Sequence, residues 1–436
     1  MEYRAIERAI LDRGVEWKFE PTLKRISALM DLLGAPQRAY PVIHIAGTNG
    51  KTSTARLTEA LLRERNLRVG RYTSPHLATM RERICIDGAP LSEDRFREVY
   101  EDLLPYVEMI DAKGIRISFF EVLTAMAFAA FADAPVDVAV IETGLGGSYD
   151  ATNVADGDVA VITPISLDHT EYLGPDLQSI AAEKAGIIKP DAIAVLAQQP
   201  LAAAEVLMRH VVEVQATVAR EGLEFGVLHR EVALGGQRLR LQGLKGVYEE
   251  VFLPLYGPHQ AGNAVCALAA VETLTGGDEP LGDELVRQAF AGVSSPGRLE
   301  VIRRGPTILV DAAHNPGGMQ AAMEAIAESF NFTRLIGVVA MMADKDVDGM
   351  LELLEPMLEE IIVTRNSSPR SMDTAELAEH ARGIFGAERV HEAGRLDDAI
   401  DTAVGFADQA DEPGAGVLVT GSVVTVGEAR VLLRAD

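Results

Sequence analysis

The chain has 436 residues, 48% of them hydrophobic, and its 65 acidic against 40 basic side chains leave a formal charge of −25. That length exceeds one ordinary core and predicts two domains, while the acidic balance argues against nucleic acid or anionic lipid as a general partner. Two cysteines far apart, Cys85 and Cys266, imply neither a disulfide framework nor a zinc pattern and fit a reducing cytoplasm.

The first residues, MEYRAIERAILDRG, mix charges through every turn and lack the apolar core of a signal peptide. No uncharged apolar run approaches the roughly 18–20 residues that a membrane span needs. A cytoplasmic protein away from membranes is therefore expected. Over 21–33, Leu23, Ile26, Leu29, Met30 and Leu33 recur at helical spacing, and Gly34 and Pro36 end the run.

Residues 41–53, PVIHIAGTNGKTS, carry the first chemical signal. Val42 to Ala46 reads as a buried parallel strand, and Gly47 and Gly50 let the following loop turn its N–H groups inward, a cradle for phosphate oxygens. Lys51 can reach the terminal phosphates as a point charge, and the hydroxyl of Thr52 suits the magnesium that accompanies them. The loop is shorter than the common GxxxxGK[ST] pattern, because Ile45 stands where the first glycine would be. A helix over 52–65 completes the strand, loop and helix order that a triphosphate site requires.

A second strand over 67–72 runs into a loop that reaches Arg83 and holds Ser74, His76 and several arginines. By composition this loop is a mobile surface connector able to close over a ligand. A short strand at 84–86 and a turn at Asp87-Gly88 precede helices over 93–110 and 119–131, the second apolar nearly all round and hence buried. Two continuous apolar strands follow, 136–141 ending at Glu142 and 159–165 ending at Asp168-His169. Ligands bind beyond the carboxyl ends of such strands. Glu142, His169 and the phosphate loop are therefore expected to converge, and a carboxylate, an imidazole and a hydroxyl beside a triphosphate make a magnesium site.

A helix over 176–184 ends in Lys184, which by pattern alone is a lysine complementing the helix dipole. A helix is expected over 201–221, a small antiparallel sheet over 223–255, and a helix from Gly257-Pro258 through Asn263 to about Leu274. Small residues, proline and glycine over 292–297 mark the domain linker. Beyond it, strands at 308–310, 335–341 and 417–420 end at Asp311, at Asp344-Lys345-Asp346 and at Gly421-Ser422. A second crevice without its own phosphate loop places the site between the domains.

The motifs HIAGTNGKTS, YTSPHL, SFFE, ETGLGGSYDATNV, ISLDHTEYLG, AAEKAGIIKP, GPHQAGNA, PGRLE, DAAHNPGG and ADKD stand in an order and spacing that resembles the folylpolyglutamate synthase and dihydrofolate synthase enzymes among the Mur-type amide ligases. The likeness spans nearly the whole chain. It implies an α/β fold with a mostly parallel P-loop sheet and a small antiparallel subsheet in residues 1–296, and a smaller Rossmann-like α/β glutamate ligase domain in 297–436.

It further implies that Thr48, Asn49, Gly50, Lys51 and Thr52 hold ATP together with Asn263, Arg298 and Asp311, and that His314 lies nearby as a catalytic group beside Lys51. Ser74, Glu142 and His169 would ligate magnesium, with two ions expected, and Lys184 matches a lysine carried as a carbamate that would face the second. Ser118, Phe119, Phe120, Glu121, Tyr149, Asp150 and Ala151 would contact the pterin-bearing substrate. Two departures stand out: Ser148 replaces the arginine usual after GLGG, and Thr52-Ser53 stands where many folate ligases have glycine-serine.

The reaction so implied is ATP-dependent formation of an amide between a folate or pteroate carboxylate and L-glutamate through an acyl phosphate, in a monomer whose partners are small molecules. The alternatives are a cell-wall precursor ligase, against which the SPHL loop and SFFE segment speak, and a nucleotide-dependent binding protein. In the latter Glu142, His169, Asp311 and His314 would be redundant.

Overall fold

A computed structural model describes residues 2–14, 21–114, 116–409 and 414–434. Met1 and Asp436, the outer limits of the two expected domains, lie outside the described residues.

Eight strands build the first sheet: β1 (Val42–Ala46), β2 (Val69–Tyr72), β3 (Ile84–Ile86), β4 (Ala89–Pro90), β5 (Val138–Glu142), β6 (Val159–Ile162), β7 (Ile193–Leu196) and β8 (Thr217–Arg220). They lie in the order β4-β3-β2-β5-β1-β6-β7-β8. Every pairing from β2 to β8 is parallel, and only β3, which lies between β2 and β4 at one edge, runs antiparallel to its neighbours. The central strands are apolar because both faces are covered. On one face Leu57 and Leu61 of the phosphate-loop helix pack with Ala264 and Leu268, and on the other Phe128 and Phe131 meet Ala139 and Ile141.

The helix expected over 201–221 is corrected: it stops at Glu213, and residues 217–220 form the eighth strand. Gln215 turns the chain at φ 59°, after which Thr217 to Arg220 pair with β7. Sheet pairing there overrides the helical run of Val206, Val211 and Val214.

Three antiparallel strands follow, β9 (Gly226–Ala233), β10 (Gly236–Gln242) and β11 (Val247–Leu253), and their inward Leu239, Tyr248 and Val251 share a core with the helix Pro258–Leu274. The last sheet holds β12 (Glu300–Arg304), β13 (Thr307–Asp311), β14 (Arg334–Val339), β15 (Glu360–Val363), β16 (Val390–Glu392) and β17 (Ala415–Thr420), in the order β12-β13-β17-β14-β15-β16. Only β12 with β13 is antiparallel. Helices cover both its faces, Met319, Leu351 and Leu377 on one side and Ile400 and Val426 on the other. This is the α/β architecture with a second α/β domain that the motifs imply.

His44 is buried in the middle of β1. Thr152 Oγ1 donates to Asp150, so the His44 ring must donate through Nε2 to Thr152 Oγ1, 2.8 Å away, leaving its buried Nδ1 without a partner. Burial, with Lys189 nearby, holds its pKa down at about 3. The folded chain therefore keeps this ring neutral while the unfolded chain protonates it near pH 6.5, so stability is lost as pH falls below that value. From pH 7 to pH 5 this group alone is expected to cost about 2 kcal/mol. Urea midpoints of the wild type and of His44→Leu across that range check this, since the variant should show the flatter dependence.

Candidate active site between the two domains

The strand order reverses beside β1, which leaves a crevice beyond the carboxyl ends of β1, β5 and β6. The phosphate loop fills its floor. Gly47 has φ 147°, and a Cβ on it would lie 1.9 Å from Thr163 Oγ1; Gly50 has φ 90°, and its Cβ would meet Asn263 Oδ1 at 2.4 Å. Both positions demand glycine. The helix Lys51–Glu64 starts directly after, so its free N–H groups face the crevice.

A cavity of about 350 Å³ opens there, and its walls come from both domains. Thr48, Asn49, Gly50, Lys51, Thr52, Ser74, Glu142, His169, Lys184 and Asn263 line it from the first, and Arg298, Asp311 and His314 from the second. Thr52 Oγ1 donates to Glu142 at 2.9 Å, and the backbone N–H of Ser74 reaches the same carboxylate at 3.3 Å. Burial raises the pKa of Glu142, opposed by Lys51 and by these hydrogen bonds.

Lys51 Nζ donates to the carbonyls of Gly47 and Thr48, each at 3.1 Å, and Lys184 Nζ donates to the Gly47 carbonyl at 2.8 Å. Two amines thus share one acceptor. Burial, with the Lys51 charge beside it, pulls Lys184 down to about 7, and burial also lowers Lys51. Lys184 therefore spends much of its time as a neutral, nucleophilic amine at neutral pH.

In the second domain the Asp311 carboxylate is occupied by the N–H groups of Leu299 and Ala313, at 2.9 and 2.8 Å, which fixes the backbone on the far side of Arg298. The Ala312 carbonyl can only accept, so His314 donates to it through Nδ1 at 2.9 Å and presents an unprotonated Nε2. Burial holds both His314 and His169 down at about 4.

Among the described residues no group of three His, Cys, Asp or Glu side chains is arranged to hold a metal. Glu142 with the Thr52 hydroxyl is instead a hard-oxygen pair of the kind that holds magnesium together with substrate phosphates.

The residues expected to touch the pterin-bearing substrate lie outside this cavity. Ser118 and Glu121 form the capping box of the helix Phe119–Asp133, and Glu121 also pairs with Arg25 at 3.0 Å. Phe120 is buried against Tyr72, and Ala151 is buried. The Asp150 carboxylate accepts from the N–H groups of Gly144 and Leu145, both at 2.8 Å, bracing the loop after β5. Phe119 lies under the Arg83 guanidinium, 5.1 Å from its ring centre, and Tyr149 is exposed. Ser148, at the position where arginine is usual, donates through Oγ to the Glu183 carbonyl at 3.1 Å.

Sequence reasoning gave no site role to Asp168, Gln260, Asn315 and Lys345. Gln260 joins the nucleotide walls by accepting from Asn263 at 3.1 Å. Asp168 accepts from Lys345 at 2.5 Å, and that cation with His169 and His314 outweighs burial and holds the carboxyl well below its usual range. Each lies within a quoted motif, and the available signal was a polar side chain in the loop after a strand for Asp168, Asn315 and Lys345 and in the first turn of the helix Pro258–Leu274 for Gln260. Among the described residues no helix is long and apolar enough to cross a membrane.

Residues 45–271 match the family described as Mur ligase middle domain, and residues 297–423 match the Mur ligase glutamate ligase domain. The chain is 51% identical to the dihydrofolate synthase/folylpolyglutamate synthase of Mycobacterium tuberculosis, over 99% of this chain and 94% of that protein. It is similar to the solved Mycobacterium tuberculosis folylpolyglutamate synthase complexed with ADP at a TM-score of 0.96, covering 100% of this chain and 99% of that one. It also resembles E. coli FolC in complex with DHPP and ADP, at 28% identity and a TM-score of 0.88, over 100% of this chain and 98% of that one.

Proposed function

The chain belongs to the folylpolyglutamate synthase/dihydrofolate synthase family of Mur ligases, and from that membership we propose how its interdomain cavity works. The protein is an ATP-dependent ligase that joins L-glutamate to the carboxylate of a folate or pteroate through an acyl phosphate. The observation that carries this reading is the single cavity lined by Lys51, Thr52, Glu142 and Lys184 from one domain and Arg298, Asp311 and His314 from the other.

A carboxylate is a poor acyl donor, so its oxygen first attacks the γ-phosphorus of ATP and ADP leaves. The glutamate amine then attacks the acyl carbon, phosphate leaves, and the nitrogen loses a proton as the amide forms. Positioning and charge neutralisation suffice for both steps. In this reading the loop 47–52 holds the triphosphate, Asn263, Arg298 and Asp311 complete the nucleotide site, and Lys51 neutralises charge on the transferring phosphoryl group. The unprotonated Nε2 of His314 accepts a hydrogen bond from the incoming amine and orients it.

Thr52 and Glu142, with Ser74 and His169 facing the same space, would hold magnesium, which when bound supplies charge neutralisation at the phosphates. Lys184 suits carbamate formation: its neutral amine adds to carbon dioxide and sheds a proton, turning a buried cation into an anion able to face a second ion. The pterin-bearing substrate lies against 118–121 and 149–151, where Phe119 and Tyr149 are the accessible rings. In this reading 1–296 and 297–436 move as separate domains about the 292–297 linker, and the protein acts as a cytoplasmic monomer on small molecules alone.

ADP release measured with dihydropteroate and with tetrahydrofolate as separate acceptors tests the reading. Turnover with at least one acceptor should require glutamate. ATP hydrolysis indifferent to glutamate would identify a nucleotide switch, and turnover only with a nucleotide-sugar peptide would identify a cell-wall ligase.

A further inference from the structure

A continuous chain of polar groups joins the two domains beside the cavity, and it starts in the phosphate loop. Asn315, at the start of the helix Pro316–Ser329, is 2% exposed and makes every hydrogen bond its amide allows. Its Nδ2 donates to Asn49 Oδ1 at 3.1 Å and to Asp168 Oδ2 at 2.9 Å. Its Oδ1 accepts from Gly318 N at 2.8 Å and from Asn49 Nδ2 at 3.3 Å. Asn49 also donates to Ser166 Oγ at 3.1 Å, and Asp168 accepts from Lys345 Nζ with both side chains 7% exposed. Asn49 and Asp168 follow β1 and β6 of the first domain, whereas Asn315 and Lys345 follow β13 and β14 of the second.

Helix capping alone does not account for asparagine here. Asp, Ser and Thr cap as well as Asn does, but only Asn keeps two donors free while its oxygen caps. Those two donors are the ones spent across the domain interface, one on the phosphate loop and one on a buried carboxylate. Because Asn49 belongs to the loop that cradles the nucleotide, its amide is set by whatever orders that loop.

We infer that Asn315 is a positioning residue that docks the second domain onto the phosphate loop, through Asn49 and Asp168, and so couples an ordered loop to closure of the reaction cavity. The inference rests on the ligase reading above. It assigns Asn315 no contact with a substrate, only control over how the groups after β13 face those after β1 and β6.

Two variants separate docking from capping. Asn315→Ser keeps a cap and replaces the two cross-domain amide donors with a single, shorter hydroxyl; Asn315→Asp keeps the cap and sets a carboxylate beside Asp168. Both should melt close to the wild type and bind ATP within about threefold of it, while kcat falls about 10-fold for Ser and about 100-fold for Asp. Adding Asp168→Asn to Asn315→Asp restores an amide facing a carboxylate and should recover most of the loss. Small-angle scattering with a non-hydrolysable ATP analogue should show a larger radius of gyration for Asn315→Asp than for the wild type.

Wild-type kcat in Asn315→Ser, or ATP affinity and melting temperature falling in step with kcat without rescue, would overturn the inference. If the wild type itself fails to release ADP with glutamate, the ligase reading falls. The scattering then decides docking alone, an unchanged radius in Asn315→Asp counting against it.

Discussion

Replacing Lys51 with alanine is expected to lower glutamate-dependent ATP turnover by about 10³-fold, with the fold intact. The ammonium is the one cation that the phosphate loop itself contributes to the cavity, and it sits at the start of a helix whose N–H groups face the same place. Its loss removes transition-state neutralisation that no other group of the loop supplies. The structural cost is small by comparison. Lys51 donates to the Gly47 and Thr48 carbonyls, but Gly47 keeps its bond from Lys184, and removing a half-buried cation relieves part of a desolvation penalty. Thermal melting and steady-state kinetics on the same preparation separate the two. A variant with normal turnover and normal ATP affinity contradicts the assignment.

Lys184→Ala is expected to cost about 10²-fold in kcat, and Lys184→Arg should not restore it, because a guanidinium stays charged and cannot add to carbon dioxide. In the wild type, activity should fall in buffers stripped of carbon dioxide and return with bicarbonate. The pH dependence has a definite sign. With Lys184 near 7, its reactive amine is the minor form below that pH, and at pH 6 only about one in ten is neutral. Recovery by bicarbonate should therefore weaken as pH falls from 7 to 6. A ¹³C carbamate resonance after ¹³C-bicarbonate is added, absent in Lys184→Ala, reads the group directly. Activity indifferent to carbon dioxide, with no such resonance, would leave Lys184 as an ordinary buried amine held by Gly47.

What the sequence made legible was local. The apolar run Val42–Ala46, the two glycines and Lys51-Thr52 state a strand, a turn and a helix start in consecutive residues, and the structure places them so. Strand ends could likewise be read wherever an apolar run met a polar group, as at Glu142 and Asp311. Residues 217–220 were not legible as a strand, because only Ala219 of the four is buried and their identity as sheet comes from pairing with β7.

The cross-domain contacts were hidden for the same reason. Asn315 lies 147 residues from Asp168 and 266 from Asn49, and no periodicity joins positions so distant. The SFFE segment shows a second limit: Ser118 and Glu121 spell a capping box as clearly as they spell a family motif, and here both side chains are engaged in capping.

The central claim is that one interdomain cavity receives the triphosphate and its ion, and a crystal structure with magnesium and a non-hydrolysable ATP analogue tests it most directly. The triphosphate should lie along residues 47–52 with Lys51 on the γ-phosphate, and the ion should sit about 2.1 Å from Thr52 Oγ1 and a Glu142 oxygen. A triphosphate bound away from the phosphate loop, or Glu142 still bonded to Thr52 with no ion between them and the phosphates, would contradict it.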